Sequence, residues 1–288
     1  MPEPRTVVVG PASWNTLVRL DRLPDPRPHT VFARDAIRTV GGTSAGKALH
    51  LSDLGLPTTL VTTVGTDPEA ELVLGALGRA PGLEVLARRA DGPSEQHVNL
   101  MTDAGERVSI YLATPAAPRP GAEDTATAAR VADRLAAADH VVVDLSSSGP
   151  AALDAARASG ATVWTDLHDY DGAAEFHRPF AEAADMVFLN DDGTDDHRAL
   201  MCALLERGAS TVVCTLGARG AVALTAEGWT ECAAEPAQVV DTNGAGDAFF
   251  AGFFAAHVAG ASTADCLRAG AHQAVRALGS VHLSPLLD

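Results

Sequence analysis

The segment Asp241-Thr-Asn-Gly-Ala-Gly-Asp247 combines a carboxylate with a glycine-rich turn, and an apolar run follows it at once. This pattern predicts a loop that begins a buried helix. Gly244, Ala245 and Gly246 carry almost no side chain, so backbone N–H groups can surround an anion at the positive end of that helix. Asp247 could take a proton from an attacking hydroxyl while those N–H groups hold a phosphoryl group. The segment therefore predicts kinase chemistry, and the alternative is a plain turn before a core helix.

A second glycine loop, Gly41-Gly-Thr-Ser-Ala-Gly-Lys47, precedes a predicted helix that ends at Leu54-Gly55. It satisfies GxxxxGK, the body of a Walker A phosphate loop. The next residue, Ala48, lacks the hydroxyl that such a loop places on Mg²⁺. Residues 37–40 before it are too short and polar for a buried central strand. A Walker loop is therefore disfavoured.

Both segments resemble signatures of the ribokinase-like sugar kinases, the PfkB family. The first matches its D-T-x-G-A-G-D motif and the second its double glycine, in the expected order, and the resemblance covers essentially the whole chain. It implies a three-layer α/β/α sandwich with a central, mostly parallel sheet and a small β-sheet lid. It also implies transfer of phosphate from ATP to a hydroxyl of a sugar or sugar acid, with Asp247 as the base.

The resemblance places a substrate site around Asn15 and the pair Gly41 and Gly42. Family members usually carry an aspartate at the position of Asn15; the amide keeps one acceptor oxygen and removes the charge. Gly46 departs from the family, where a side-chain amide is common. Lys47 is the only lysine among 21 basic residues. Its ammonium could bind an anionic group of the substrate, or it could snorkel from the first turn of its helix.

For the nucleotide, the chain resembles the family in the turn Thr215-Leu-Gly217-Ala-Arg-Gly220. His272 lies in the last predicted helix, near where relatives contact adenine, although a lone helical histidine is more often structural. Asn190-Asp-Asp-Gly193 occupies the place of the family motif N-x-x-E, which is tied to hydrated Mg²⁺. Asn190 matches and Gly193 does not. Asp191 or Asp192 could replace the missing glutamate, with Asp192 in the outer shell of Mg²⁺.

Asp241 and Asn243 match the region where many relatives bind a monovalent cation, so K⁺ stimulation is expected. Arg107, at the tip of a predicted hairpin, could swing over a phosphate, and the alternative is a solvated charge.

Short β-branched runs alternate with alanine-rich stretches, as in a mostly parallel sheet covered by helices. The predicted strands are 6–10, 58–64, 140–144, 161–165, 185–189 and 211–215. The predicted helices lie near 44–54, 67–79, 123–138, 150–159, 173–184 and 195–207. Because ligands bind at the carboxyl ends of such strands, we expect four strand-end polar residues to line one crevice. These are Asp144, Asp166, Asn190 and Thr215.

Two stretches break this rhythm, residues 15–38 and residues 96–112. The second predicts a hairpin that turns at Asp103-Ala-Gly105. By the resemblance they form the lid of a single kinase domain, 1–288. In the family this lid is often shared between two subunits, which makes a homodimer expected.

Composition narrows the class of protein. The formal net charge of −16 argues against a nucleic-acid partner, and no apolar run approaches the ~20 residues that a membrane span needs. The N-terminus leads directly into a strand rather than a signal peptide. Four scattered cysteines predict buried free thiols in a reducing cytoplasm. Two alternatives stay open: a nucleoside kinase of the same fold, and a sugar-binding sensor that has lost its chemistry.

Overall fold

The structure is a computed structural model, and it describes residues 5–102, 105–116 and 125–288. This part of the chain contains thirteen strands and eight α-helices. The strands are β1 (Thr6–Val9), β2 (Ser13–Leu20), β3 (Asp35–Gly41), β4 (Thr58–Val64), β5 (Leu83–Arg89), β6 (Glu95–Thr102), β7 (Arg107–Ala113), β8 (His140–Val143), β9 (Thr162–Asp166), β10 (Met186–Asn190), β11 (Thr211–Thr215), β12 (Ala221–Thr225) and β13 (Gly228–Cys232). The helices are α1 (Thr43–Asp53), α2 (Pro68–Leu77), α3 (Thr125–Ala137), α4 (Gly149–Ser159), α5 (Arg178–Ala183), α6 (His197–Glu206), α7 (Ala245–Val258) and α8 (Thr263–Leu278).

Nine strands form the main sheet, in the order β13-β12-β11-β10-β9-β8-β1-β4-β5. All neighbours pair in parallel except β11–β12 and β12–β13 at one edge. Successive side chains of a strand point to opposite faces. Accordingly Val8 packs with α1, α2, α7 and α8, whereas Val7 and Val9 pack with α3 to α6. Both faces are covered, so the predicted three-layer α/β/α sandwich is confirmed.

The lid is a separate four-stranded sheet, in the order β3-β2-β6-β7. Its strands fall in the two stretches predicted to break the main rhythm. Residues 103 and 104 of the predicted hairpin turn lie outside the described residues. The strands on either side of that turn pair in antiparallel fashion, as the prediction requires.

Several elements differ from the sequence prediction, among them the edge strand β13, which no predicted strand covers. The helix expected near 173–184 is limited to α5, because Asp171 Oδ1 accepts hydrogen bonds from the backbone N–H groups of Ala173 and Ala174. A turn therefore replaces its first half. Strand β5 was not predicted, since its charged residues obscure the apolar alternation.

In the part of the chain that the structure describes, no helix combines the length and the apolar character needed to cross a bilayer. The four cysteines are free. Cys214 and Cys266 are buried as predicted, whereas Cys202 is exposed and Cys232 is half-buried.

Candidate active site

Helix α7 begins directly after the glycine turn. Gly244 has a φ of +80°, and a Cβ there would lie 2.5 Å from the backbone oxygen of Leu283, so the turn requires glycine twice over. A Cβ on Gly246 would meet nothing within 4 Å, so the space beside the first turn is open. The first N–H groups of a helix have no acceptor within the helix. The start of α7 therefore offers donors and a positive helix end to an anion.

Lys47 is fully buried among three carboxylates. Its Nζ lies 2.9 Å from Oδ1 of Asp247, 3.1 Å from Oδ1 of Asp144 and 3.2 Å from Oδ2 of Asp166. Asp166 ends β9, Asp144 follows β8, and Asp247 lies in the first turn of α7. Ser44 donates a hydrogen bond of 2.7 Å to Oδ2 of Asp144. The structure thus brings Lys47 and the ends of two neighbouring strands to the candidate base. We call these four ionisable residues the Lys47 cluster.

Three members of the Lys47 cluster, Lys47, Asp166 and Asp247, have shifted pKa values. Burial raises the pKa of Asp247 to about 6, and the nearby ammonium of Lys47 opposes that rise. Burial favours a higher pKa for Asp166 as well, but the charges of His168 and Lys47 outweigh it and lower the pKa of that carboxyl to about 2. For Lys47, burial favours a lower pKa, but the surrounding carboxylates outweigh this effect. The net result is a pKa above the usual value of a lysine. Of these three groups, Asp247 is therefore the one that can exchange a proton near neutral pH.

The missing side chain of Gly46 leaves the space that the carboxylate of Asp247 occupies next to Lys47. A Cβ on Gly46 would lie 2.4 Å from Oδ2 of Asp247, which is closer than any real contact. The carboxylate therefore packs directly on the backbone of α1. The departure of Gly46 from the family pattern has a steric reason that the sequence alone does not show.

Polar groups of the lid are buried beside the two glycines that precede α1. Asn15 on β2 is buried, and its Oδ1 has no hydrogen-bond partner among the described residues. A Cβ on Gly41 would lie 2.0 Å from Nδ2 of Asn15, and a Cβ on Gly42 would lie 2.5 Å from the backbone oxygen of Pro11. Buried acceptors without partners are suited to hydroxyl groups of a ligand.

Sequence reasoning missed other residues of this kind. Asn99 on β6 is buried with its Oδ1 unpartnered in the described part of the chain, as is the hydroxyl of Ser13 on β2. Alternation along β6 puts Asn99 on the same face as His97, and His97 lies opposite Asn15. That alternation is the signal that could have identified them.

Arg107 lies at the start of β7 and is exposed. Close by, a Cβ on Gly105 would lie 3.6 Å from Cγ2 of Thr242. The end of the lid hairpin therefore lies close to the loop of the candidate base, and Arg107 is two residues further along the chain.

Most of the predicted nucleotide residues lie at or just after the ends of β10 and β11, which follow β9 in the main sheet. Asn190 and Thr215 are opposite each other on β10 and β11. Gly217 and Gly220 both have positive φ, and a Cβ on Gly220 would lie 2.0 Å from the backbone oxygen of Cys232. His272 is exposed on α8, with Nδ1 3.4 Å from Oε2 of Glu235.

The glycine in place of the glutamate of the N-x-x-E motif also has a steric cause. A Cβ on Gly193 would lie 1.9 Å from the backbone oxygen of Asp169. No side chain fits there, so the family's glutamate cannot occupy this position. Asp191 forms an ion pair with Arg219, and Asp192 is exposed, with its N–H donating to Oδ1 of Asn190. Asp192 is therefore the acidic side chain of the motif that remains open.

The structure gives Asp241 two partners. Its Oδ2 lies 3.1 Å from a terminal nitrogen of Arg19, and its Oδ1 accepts a 2.8 Å hydrogen bond from the N–H of Asn243. Both oxygens of the predicted monovalent-cation ligand are thus engaged. Elsewhere in the described ranges, no group of three or more acidic, histidine or cysteine side chains is placed to hold a metal ion.

Comparison with known proteins assigns the chain to a family. The sequence profile of the pfkB family carbohydrate kinase matches residues 5–285. The chain is 36% identical to the acarbose 7(IV)-phosphotransferase of Actinoplanes sp. over 271 residues, 92% of this chain and 89% of that protein. It is 30% identical to a nucleoside kinase of Methanothermobacter thermautotrophicus over 273 residues, 91% and 85% of the two chains.

Among solved structures, the fold is similar to that of the microbiome-derived acarbose kinase Mak1. The TM-score is 0.81 at 29% identity, with 96% of this chain and 93% of that chain covered. The match over nearly the whole chain agrees with the two glycine loops and the separate lid sheet. The chain therefore belongs to the pfkB family of carbohydrate kinases and is a sugar kinase, a phosphotransferase that acts on a hydroxyl group.

Proposed function

We propose that the chain transfers the γ-phosphoryl group of ATP to a hydroxyl of a neutral sugar, with Asp247 as the general base. The observation that carries the proposal is the Lys47 cluster. It places a buried carboxylate with a pKa of about 6 at the open, donor-rich start of α7. A base with this pKa accepts a proton readily at neutral pH.

In this mechanism Asp247 removes the proton of the attacking hydroxyl. That oxygen forms a bond to the γ-phosphorus, and the bond to the bridging oxygen breaks, which leaves ADP and a phosphate ester. The N–H groups of Gly244, Ala245 and Gly246 stabilise charge on the transferring group. Lys47 holds the carboxylate of Asp247 in place and compensates part of the charge of the other two aspartates.

Mg²⁺, which the family typically uses, would neutralise phosphate charge when bound with ATP. The phosphates and water would supply most of its ligands, with Asn190 and Asp192 in the outer shell. The open carboxylate of Asp192 and the amide oxygen of Asn190 suit this role. Thr215, Gly217 and Gly220 would line the nucleotide, with His272 toward adenine.

A neutral sugar is favoured over a sugar acid. The ammonium of Lys47 is surrounded by carboxylates and fully buried, so it has no free side for an anionic substrate. The buried acceptors of Asn15 and Asn99 suit hydroxyl donors instead. Because similar proteins include an acarbose phosphotransferase and an acarbose kinase, we propose acarbose as the first substrate to test.

A nucleoside kinase is the second candidate, because one relative of 30% identity carries that name. Its substrate would need an aromatic surface against the base. Tyr111 on β7 packs against His97 in a tilted arrangement, with ring centroids 3.8 Å apart and planes at 46°, so His97 already occupies one side of its ring. A sensor without chemistry is the third candidate, supported by the missing glutamate at Gly193 and opposed by the intact Asp247.

The test is ADP release from Mg-ATP with acarbose, neutral sugars, sugar acids and nucleosides. We expect turnover on neutral sugars, and a loss of about 100-fold to 10,000-fold in Asp247→Asn. Asp154→Asn, an exposed aspartate on α4, is the matched control and should keep full activity. Activity of Asp247→Asn within about tenfold of wild type would contradict the mechanism. A preference for sugar acids would contradict the assignment of a neutral substrate.

We further propose that residues 1–288 act as a single cytoplasmic kinase domain that dimerises through the lid. Val108 and Ile110 alternate along β7 and are exposed on one face, and Leu112, at the irregularity in the pairing with β6, is exposed as well. An exposed apolar face of this kind favours a partner surface. Light scattering of wild type and Ile110→Asp should show a dimer and a monomer, respectively.

A further inference from the structure

Arg19 and Asp241 join two parts of the molecule that are far apart in sequence. Arg19 belongs to lid strand β2, whereas Asp241 begins the loop that carries the candidate base. The carboxylate is only 3% exposed and the guanidinium 21% exposed. The pair is therefore shielded from solvent, where a charge–charge contact is weakened little by salt.

This contact conflicts with the expected monovalent-cation site. A bound K⁺ requires several oxygen ligands. Both oxygens of Asp241 are engaged, one by the guanidinium and one by the N–H of Asn243. A cation at Asp241 would also stand beside a permanent positive charge. The residues present therefore do not fit a monovalent cation at this carboxylate.

We infer that Arg19 takes the place of the activating monovalent cation, as a positioning residue that holds the loop of the candidate base. A guanidinium stays charged at every accessible pH and donates directional hydrogen bonds. It supplies one positive charge to Asp241, as a bound K⁺ would. Since it is part of the chain, the loop is held without an ion from solution.

The surroundings of the pair support this role. The backbone N–H of Val240 donates a 2.7 Å hydrogen bond to the carbonyl of Leu278 at the end of α8. The stem of the loop is thus fixed on one side by α8 and on the other by Arg19. Within the loop, the N–H of Asn243 donates a hydrogen bond to Asp241 Oδ1, and Gly244 is the next residue. Loss of the guanidinium would free the loop on its lid side.

A small cleft of about 60 Å³ adjoins the pair. Its walls come from the lid and from the loop: Arg19, Met101, Thr102, Val239, Val240, Asp241 and Thr242. If the side chain of Arg19 is removed, this cleft is enlarged. A small cation from solution could then reach Asp241 through it.

The inference rests on the proposed kinase function and is tested by its salt dependence. Sugar phosphorylation is measured in KCl, NaCl and choline chloride at equal ionic strength. We expect wild-type kcat/KM to agree within about twofold in the three salts. Stimulation by K⁺ of about fivefold or more would overturn the inference and leave the kinase assignment intact. Inactivity in every salt would instead overturn the proposed function, and this inference with it.

Arg19→Ala gives the second readout. In choline chloride its kcat should fall by about tenfold or more, and K⁺ or millimolar guanidinium should restore part of it. Arg19→Lys should retain more activity than Arg19→Ala. Arg38→Ala is the matched control, since Arg38 joins the lid to α2 through Glu69 at 2.9 Å, away from the loop. A loss in Arg19→Ala that neither cation relieves would assign Arg19 a merely structural role and overturn the inference.

Discussion

Nζ of Lys47 lies 2.9 Å from Oδ1 of Asp247, although 200 residues separate them in sequence. The contact joins the only lysine of the chain to the candidate base through the gap left by Gly46. The ammonium acts on Asp247 in two ways: it orients the carboxylate by a hydrogen bond, and it keeps the pKa from rising further under burial. The pKa of Asp247 therefore depends on burial and on Lys47, a side chain that is itself fully buried.

The first prediction concerns the pH dependence of catalysis. Asp247 acts as a base only when ionised, and burial raises its pKa to about 6. We expect kcat/KM to be level above that pH and to fall about tenfold per pH unit below it. Initial rates at saturating ATP, from about pH 5 to pH 8.5, test this. A profile without an acid limb would contradict the role of Asp247.

The second prediction removes the ammonium. In Lys47→Met the opposing charge is lost, so the pKa of Asp247 should rise and the acid limb should move to higher pH. Breaking a buried ion pair typically destabilises a protein by about 3–5 kcal/mol, so urea unfolding is measured beside the rates. Lys47→Arg keeps the charge and is the control for the pH profile. If folded Lys47→Met shows the same acid limb of the pH profile as wild type, Lys47 does not affect the pKa of Asp247.

The third prediction compares two helical glycines. A Cβ on Gly46 would meet Asp247 at 2.4 Å, whereas a Cβ on Gly75 in α2 meets nothing within 4 Å. Gly46→Ala should displace the base and lower kcat by about 100-fold. Gly75→Ala should keep full activity and raise the free energy of unfolding by up to about 1 kcal/mol, because alanine is the better helix former. Equal kinetics for the two variants would refute the packing argument.

The fold and the strand ends around the candidate site could be predicted from the sequence, whereas most side-chain contacts within the site could not. The glycine loops and the alternation of strands and helices predict the fold, because these are local patterns. The strand-end rule names Asp144 and Asp166 as neighbours, and both meet Lys47. The partners of Lys47 could not be predicted, since they depend on how α1 and α7 approach each other above the sheet. From the sequence, the ammonium could bind an anionic group of the substrate or snorkel from its helix, whereas in the structure three carboxylates surround it.

Gly46 and Gly193 are two further positions whose role could not be predicted from the sequence. Each departs from the family pattern, and from sequence alone each departure leaves only a missing side chain. In the structure each is required by another part of the chain: the carboxylate of Asp247 in one case and the backbone of Asp169 in the other. Such contacts are long-range, and nothing in the local sequence encodes them.

The fourth prediction tests Gly193 by restoring the family's residue. Gly193→Glu should not improve catalysis, because its Cβ would lie 1.9 Å from the backbone oxygen of Asp169 and displace that loop. We expect lower kcat and a free energy of unfolding reduced by about 1–3 kcal/mol. Asp192→Asn removes the open acid without a steric clash and should mainly raise the Mg²⁺ concentration needed for half-maximal rate. A faster Gly193→Glu enzyme would disprove the steric account.

The fifth prediction concerns stability. His50 in α1 is buried; its Nε2–H donates to the carbonyl of Leu283 at 3.0 Å, and Gln273 donates to its Nδ1 at 3.1 Å. This arrangement requires a neutral ring, and burial lowers the pKa of His50 to about 4. The folded state therefore binds fewer protons than the unfolded state between about pH 4 and pH 6.5, so its stability rises with pH in that window.

Lowering the pH from about 7.5 to 5 should thus remove about 2 kcal/mol through His50 alone. Asp247 works in the opposite direction, because its raised pKa makes the folded state bind more protons above the usual carboxyl range. The contribution of His50 is therefore obtained as the difference between wild type and His50→Gln in urea unfolding at the two pH values. His29→Gln, at an exposed position of the loop between β2 and β3, is the control. If His50→Gln loses as much stability as wild type on acidification, the ring does not carry the linkage. A smaller loss would show that the buried neutral imidazole of His50 carries the linkage.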